Sequence, residues 1–413
     1  MQFKDIIAPK RVQQDLTELV QSNRLSHALL FLGREGSGAL LAALAFSQYL
    51  VCERVSNSLK EDQTPSLFGE NPQAADPKAS STAGVQETKK WTDACGECPA
   101  CLKAQQFIHP DIHYSYPVVS KKGVDKPLST DYIREWREFL VKEPYGNVYD
   151  WLQFIAAENK QGNITAHECN DILHKLSLKS FESDYKIHIM WMPEYLGNEG
   201  NKLLKLIEEP PANTIFIMVA ENESLILPTI LSRCQLVKIP PIPADAIEEA
   251  LIREYKIPVQ QAKQLAGMSE GNYHEALQLV QHAEEDWQHL LREWLNAILK
   301  TGPAAQVKWI EEISRIGREK QKQFLRYFNH LLAQCIRVQI IGEAALKNVA
   351  DKEKDFMLRL NKLADIASQK VMVEELDKAV YYIERNANAR LLFHALTIKL
   401  YHIMKDKALI TCW

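Results

Sequence analysis

The chain of 413 residues carries no strong excess of either charge and no long apolar run. A net charge of −4 excludes a global attraction to nucleic acid and leaves room only for local basic patches. The most apolar window, Ala39 to Val51, is shorter than the ~20 residues needed to cross a bilayer and suits a buried helix. The first residues, Met1-Gln2-Phe3-Lys4-Asp5, lack the apolar core of a secretory leader. A cytoplasmic protein without a membrane partner is therefore expected, its eight cysteines reduced or metal-bound rather than paired. One further absence is local. Residues 33–40 read Gly33-Arg34-Glu35-Gly36-Ser37-Gly38-Ala39-Leu40. A phosphate-binding loop has lysine and then serine or threonine after its last glycine, for the β/γ-phosphates and for Mg²⁺. Ala39 and Leu40 stand there instead.

What is present around that gap is the loop's ordinary setting. The apolar run Ala28 to Leu32 reads as a buried strand, and Ala39 to Val51 reads as the helix after the turn. Residues 53–94 are rich in Ser, Asn, Gln, Pro and charged residues without a period, and read as a mobile insertion. Ile112 to Pro117 reads as a short strand. Residues 120–162, with Trp136, Tyr145, Tyr149 and Trp151 among many charges, read as a mostly helical excursion whose aromatics are packing anchors. A helix over 166–176, a strand over 187–192, a helix carrying Leu203, Leu204, Leu206 and Ile207, and strands over 215–219 and 236–239 restore α/β alternation. Pro240-Pro241 and Pro243 mark a boundary. Short helices follow to about residue 284, then a helical pattern interrupted at Gly302-Pro303 and Gly342. Length and layout predict three domains: 1–240, with insertions 53–94 and 120–162; 241–284; and 285–413.

Three clusters bear on chemistry. Cys95-Gly96-Glu97-Cys98-Pro99-Ala100-Cys101 places three thiols within seven residues, a spacing suited to a closed tetrahedral zinc site. Cys52, at the end of the helix after the glycine loop, is the expected fourth ligand, and His109 is its competitor. Leu231-Ser232-Arg233-Cys234 precedes a strand; Arg233 there either projects toward a neighbour's phosphates or makes an ordinary surface ion pair. Glu208-Glu209 before Pro210-Pro211 marks a helix end, because adjacent helical residues do not face each other.

These pieces together resemble the bacterial clamp-loader AAA+ subunits. The resemblance rests on Arg24 to Phe31 leading into Gly33, Gly36 and Gly38, on the cysteine knuckle, on Asn201-Lys202-Leu203-Leu204-Lys205 with Glu208-Glu209-Pro210-Pro211, and on Ile230 to Cys234. It covers about residues 1–52, 95–119 and 164–280. It implies an α/β AAA+ fold, a RecA-like parallel sheet with helices on both faces, plus a small helical lid and an all-α C-terminal collar. Against the family pattern, Trp191 and Met192 occupy the positions of the acidic strand end, Glu194 lies beyond them, and His274 stands where the lid normally carries arginine. The resemblance therefore implies a subunit type that does not hydrolyse ATP and binds none at Gly33, Gly36, Gly38, Ala39 and Leu40. Its intact Ser232-Arg233-Cys234 implies that Arg233 acts in trans on ATP held by a neighbour. The implied partners are gamma/tau ATPase subunits and delta in a pentamer, and through that assembly the sliding clamp and primer–template DNA. The alternatives are an ATP-hydrolysing gamma/tau-type subunit and a zinc-stabilised adaptor outside replication.

Overall fold

A computed structural model describes residues 1–7, 10–61, 91–120, 126–157, 160–281, 287–342, 351–384 and 387–406. Two compact units divide the chain: residues 1–250 with 271–274, and residues 251–270 with 275–413. The segment 241–284, expected as a small helical domain, is shared between them.

The first unit runs α1 (Lys10–Gln21), β1 (Ala28–Gly33), α2 (Ala39–Val51), α3 (Glu53–Glu61), α4 (Pro99–Gln105), β2 (Ile112–Ser115), α5 (Ile133–Lys142), α6 (Val148–Phe154), α7 (Ala166–Ser177), β3 (Lys186–Trp191), α8 (Leu204–Glu208), β4 (Thr214–Ala220), α9 (Pro228–Leu231) and β5 (Gln235–Ile239), and it ends within α10 (Ala244–Tyr255). The five strands form one parallel sheet in the order β2-β3-β4-β1-β5. Alternate side chains of the central strands feed two apolar layers, as the period of a strand requires. Leu29, Phe31, Ile215, Ile217, Val219 and Ile189 pack with α1, α2, α5 and α6. Ala28, Leu30, Phe216, Met218 and Met190 pack with α7, α8 and α9 on the other face. The expected parallel sheet covered by helices on both faces is thus present. Every residue of α2 is buried, which its all-round apolar surface demands.

Two local readings differ from the expectation. Residues 53–61, taken as the start of a mobile insertion, form α3. Val55 is buried and Leu59 packs against the core, while Arg54 pairs with Glu97 and Lys60 with Asp184 on the outside. Residues 62–90 of that insertion lie outside the described residues. The helix expected around Leu203 to Ile207 begins as a 3₁₀ stretch, Pro193–Leu203, kinked at Gly197, and only its last turn is α8.

The second unit is helical throughout its described residues: α11 (Val259–Met268), α12 (Tyr273–Gln281, from Glu275 onward), α13 (Trp287–Asn296), α14 (Pro303–Ile313), α15 (Arg318–Ile341), α16 (Asp351–Leu363), α17 (Ile366–Glu384) and α18 (Ala389–Tyr401). Its core centres on Trp294, whose ring stacks on Trp309 at 4.7 Å and whose Nε1–H donates to Thr397 Oγ1 at 3.0 Å. Phe324, Phe328 and Phe393 close round this pair. No single helix among the described residues is long and apolar enough to cross a membrane.

One buried group in the sheet works against stability. His188 in β3 stacks on Phe216 at 5.2 Å, and neither of its ring nitrogens has a hydrogen-bond partner. Burial, reinforced by His113 and Lys175, holds its pKa well below the usual histidine range, and burial brings His113 down to about 4. Both imidazoles thus stay neutral in the folded sheet while those of the unfolded chain protonate below about pH 6.5. Stability is therefore lost as pH falls from 6.5 toward 4, by about 1.4 kcal/mol per pH unit for each group. His188→Ile is expected to stabilise the first unit by about 1 kcal/mol at neutral pH and to make the acid loss shallower. Urea midpoints at pH 7.5 and pH 5 read both effects; a variant equally acid-sensitive and no more stable would contradict this account.

Candidate functional site

The turn after β1 retains the shape of a phosphate loop. Gly36 and Gly38 hold positive φ angles of 67° and 79°, and Gly38 caps α2. Left-handed backbone of this kind favours glycine. The cleft that the turn faces, at the carboxyl ends of β1, β3 and β4, is where an open α/β sheet binds ligands. Here it is full. Pro144, Tyr145 and Gly146, from the connection between α5 and α6, line it together with Gly33, Gly38, Leu40, Trp191 and Met192. The remaining cavity is about 30 Å³, small against the ~300 Å³ or more of an ordinary small-molecule site.

The filling is fastened at several points. Tyr145 Oη accepts the Ile7 N–H at 2.8 Å, and its ring meets Tyr273 edge-on at 4.7 Å. A Cβ added at Gly38 would touch the Tyr145 ring at 3.3 Å. Asn147 Nδ2 donates to Glu35 Oε1 at 3.1 Å. The Tyr273 N–H donates to the Gly36 carbonyl at 3.1 Å, and a Cβ at Gly36 would strike Asn272 Oδ1 at 1.8 Å. His274 is buried, its Nε2 3.2 Å from Asp150 Oδ2. The histidine that replaces the expected lid arginine thus faces an acid of the insertion.

The side chains at the positions where charged or hydroxyl residues are expected belong to the core. Ala39, Leu40, Trp191 and Met192 are all buried in the layer that contains α2. Trp191, at the end of β3, packs against Trp136 at 5.2 Å and Phe139 at 6.1 Å, both from α5. Glu194 does not face the cleft: its Oε1 accepts the N–H groups of Glu221 at 2.7 Å and Asn222 at 2.9 Å, and burial raises its pKa. It fastens the chain leaving β4.

A second constellation lies at the end of α2. The sulfurs of Cys52, Cys95, Cys98 and Cys101 lie within 4.8 Å of one another. Cys95 Sγ and Cys101 Sγ are 3.8 Å apart, the edge of a tetrahedron with metal–sulfur bonds of about 2.3 Å. Backbone N–H groups point at the sulfurs: Cys95 at Cys52 Sγ (3.4 Å), Cys98 at Cys95 Sγ (3.3 Å) and Cys101 at Cys98 Sγ (3.5 Å). These bonds favour thiolate. Burial opposes it at Cys98, pushing that thiol up, and Cys101 is raised first of all by its contact with Cys52. Four such groups ionise together only around a cation, so the donor set fits a closed site for a divalent metal. Gly96 turns the knuckle at φ 76°, where a Cβ would meet Gln2 Oε1 at 2.6 Å. His109 is not in the cluster. Its Nδ1 accepts the Asp111 N–H at 3.2 Å and its Nε2 faces Glu182 at 3.3 Å.

Ser232, Arg233 and Cys234 follow α9. Ser232 Oγ donates to the Thr229 carbonyl at 3.2 Å, and burial pushes the Cys234 thiol up to about 12. Arg233 is one-third exposed and ion-paired within the chain: its Nε and Nη2 donate to Glu208 Oε1, and Nη1 donates to the Thr229 carbonyl at 2.7 Å. Glu208 is the last residue of α8 and Glu209 its C-cap, so the pair of carboxylates ends a helix as expected.

Three contributors were missed in the sequence. In the sequence Tyr145 stands out only as a packing aromatic, Asn272 has no role of its own, and Glu208 marks only a helix end. The signal available was the joint occurrence of an apolar Trp191 with an aromatic-rich insertion.

The chain is similar to known proteins. A family model described as DNA polymerase III, delta subunit, matches residues 8–68 and 69–243, more than half of the chain. DNA polymerase III subunit delta' of Bacillus subtilis is 26% identical over 275 residues, covering 66% of this chain and 60% of that protein. Subunit tau of the same organism is 24% identical over 344 residues, covering 80% of this chain and 46% of tau. Subunit delta' of Escherichia coli is 24% identical over 345 residues, covering 82% and 78%. The chain thus spans about half to three-fifths of the length of the two Bacillus relatives.

Elemental analysis of the purified chain is expected to find one tightly held divalent metal per molecule. Cys101→Ser should lower that content, and His109→Ala should leave it unchanged. A content near zero in protein purified without chelator, or a loss on replacing His109, would overturn the four-sulfur assignment.

Proposed function

Since this chain belongs to the DNA polymerase III delta-subunit family, among clamp-loader proteins of the delta-prime type, we propose that it is the subunit of a bacterial clamp loader that hydrolyses no ATP itself and lends Arg233 to ATP bound by a neighbour. The observation that carries this reading is the filled cleft. Tyr145 and its neighbours leave about 30 Å³ beside a loop that has Ala39 and Leu40 where lysine and then serine or threonine are expected. Such a cleft leaves little room for a triphosphate and lacks the loop lysine and the following hydroxyl that would hold its phosphates and Mg²⁺. The scaffold of the nucleotide fold is kept while its content is the chain's own insertion.

The proposed assembly is a pentamer with gamma/tau ATPase subunits and delta, acting in the cytoplasm to open the sliding clamp and place it on primer–template DNA. In it, Arg233 stabilises charge on the neighbour's transferring phosphate, for which a fixed, always-charged guanidinium suits. The cysteine cluster is proposed to hold zinc as a structural ion, with no open position for water. The helical second unit supplies the collar that sets neighbours in register, and the three-part division at about residues 240 and 284 is proposed to describe the chain within that assembly.

Equilibrium binding of ATP with Mg²⁺ to the isolated chain is expected to be undetectable at micromolar nucleotide. Tight binding would favour an ATP-hydrolysing gamma/tau-type subunit instead. In a reconstituted complex, Arg233→Ala should lower hydrolysis at the site facing this chain by about 10³-fold. Full DNA-stimulated activity of that variant would sink the finger reading and favour an adaptor outside replication.

A further inference from the structure

Arg233 carries a partner that its proposed role does not require. Glu208 Oε1 accepts from both Nε and Nη2, the Thr229 carbonyl takes Nη1 at 2.7 Å, and Nη1 also lies 3.3 Å from Ser232 Oγ. Most of the guanidinium's hydrogen-bonding capacity is thus spent inside the chain. The two ends of the pair are fixed independently. Glu208 is held at the end of α8 by the stop at Pro210-Pro211, and Arg233 is held by the turn after α9, where its own N–H donates to the Ile230 carbonyl at 3.0 Å.

A guanidinium in contact with a carboxylate presents a dipole to its surroundings, not a full positive charge. An approaching phosphate meets the carboxylate's repulsion as well as the guanidinium's attraction. In this position Arg233 is a poor stabiliser of phosphoryl charge. The pair is nonetheless easy to open: the side chains of Arg233 and Glu208 are 35% and 46% exposed, and exposed pairs of this kind bias an equilibrium by no more than about fivefold. A triphosphate on an adjoining subunit offers several anionic oxygens against the single charge of Glu208, and so wins the exchange when it is present.

We propose that Glu208 is a latch for Arg233, holding the guanidinium within the chain until a nucleotide phosphate on the neighbouring subunit displaces the carboxylate. The proposal rests on the reading of Arg233 as a donor in trans, and it adds a regulation of that site. Glu208 is not a catalytic residue: it acts through the arginine, by setting the fraction of chains whose guanidinium is free. An apparent affinity is reduced by the fraction of the competent state, so the latch raises the nucleotide concentration at which the finger engages and leaves the engaged state unaltered.

The test uses the reconstituted complex and follows the part of its ATP hydrolysis that Arg233→Ala abolishes. With Glu208→Gln, the ATP concentration for half-maximal rate of that component is expected to fall by up to about fivefold, with the maximal rate unchanged. A second measurement uses the whole isolated chain: solvent exchange of the Arg233 Nε–H, followed by nitrogen-15 NMR, should quicken in Glu208→Gln. If Arg233→Ala leaves hydrolysis intact, the underlying finger reading fails. If Arg233→Ala abolishes the component but Glu208→Gln changes nothing, or lowers the maximal rate, the finger stands and the latch is overturned. Unchanged Nε–H exchange would also overturn it, by showing that the pair does not hold the guanidinium in solution.

Discussion

The apolar end of β3 is the constraint on which the first unit turns. Trp191 and Met192 sit in a sheet end that must be either wet, to serve polar ligands, or covered. They are covered: Trp136 and Phe139 of α5 lie on Trp191, and the chain that leaves α5 drops Pro144 and Tyr145 into the adjoining cleft. A fully buried aromatic side chain contributes about 1.5–3 kcal/mol, so this arrangement is a core in its own right. It also makes the cleft positions interdependent. Restoring lysine at position 39 alone would place an ammonium against Tyr145 and Trp191 with no phosphate to pair it. An acid returned at 191 would face the indole of Trp136 with no metal.

The same logic joins the insertion to the backbone that surrounds it. Tyr145 satisfies the Ile7 N–H, Asn147 binds Glu35 beside the glycine turn, and Asp150 meets His274. These contacts fasten the N-terminal segment, the glycine turn and residues 272–274 with the chain's own side chains. At the far end of α2 the four sulfurs converge on a knuckle whose Ala94, Ala100 and Ala104 pack into the same core, a donor set that fits a divalent metal.

How much of this was legible in the sequence follows from the range of the interactions. The strands were readable because β1 and β4 are nearly continuous apolar runs, and β3 is one interrupted by His188, the signature of a sheet buried on both faces. The four cysteines were readable through spacing for three and position for one, and the sulfurs converge as the spacing implied. The 3₁₀ stretch before α8 was not readable, because Gly197 breaks the helical pattern without altering the apolar period. Nor was α3, whose single buried Val55 and packed Leu59 are too sparse to show a period in so polar a segment. The filling of the cleft was invisible for a different reason. Tyr145 lies more than a hundred residues from Gly38 and is placed by tertiary packing of α5, so no local pattern announces it.

Arg233 shows where sequence and structure each give half of an answer. Spacing alone left it between a phosphate donor and a surface ion pair, and the folded chain contains the ion pair. The two are not rivals, because an exposed pair is weak and a polyanion is a stronger acceptor than one carboxylate. A finger that works on another molecule has to spend most of its time without that molecule. During that time an unpaired guanidinium would attract any available anion, and a cis carboxylate prevents this at little cost in affinity. On the proposed reading, the filled cleft and the paired arginine express one condition: a chain with little room for its own nucleotide would respond to nucleotide through what a neighbour presents to it.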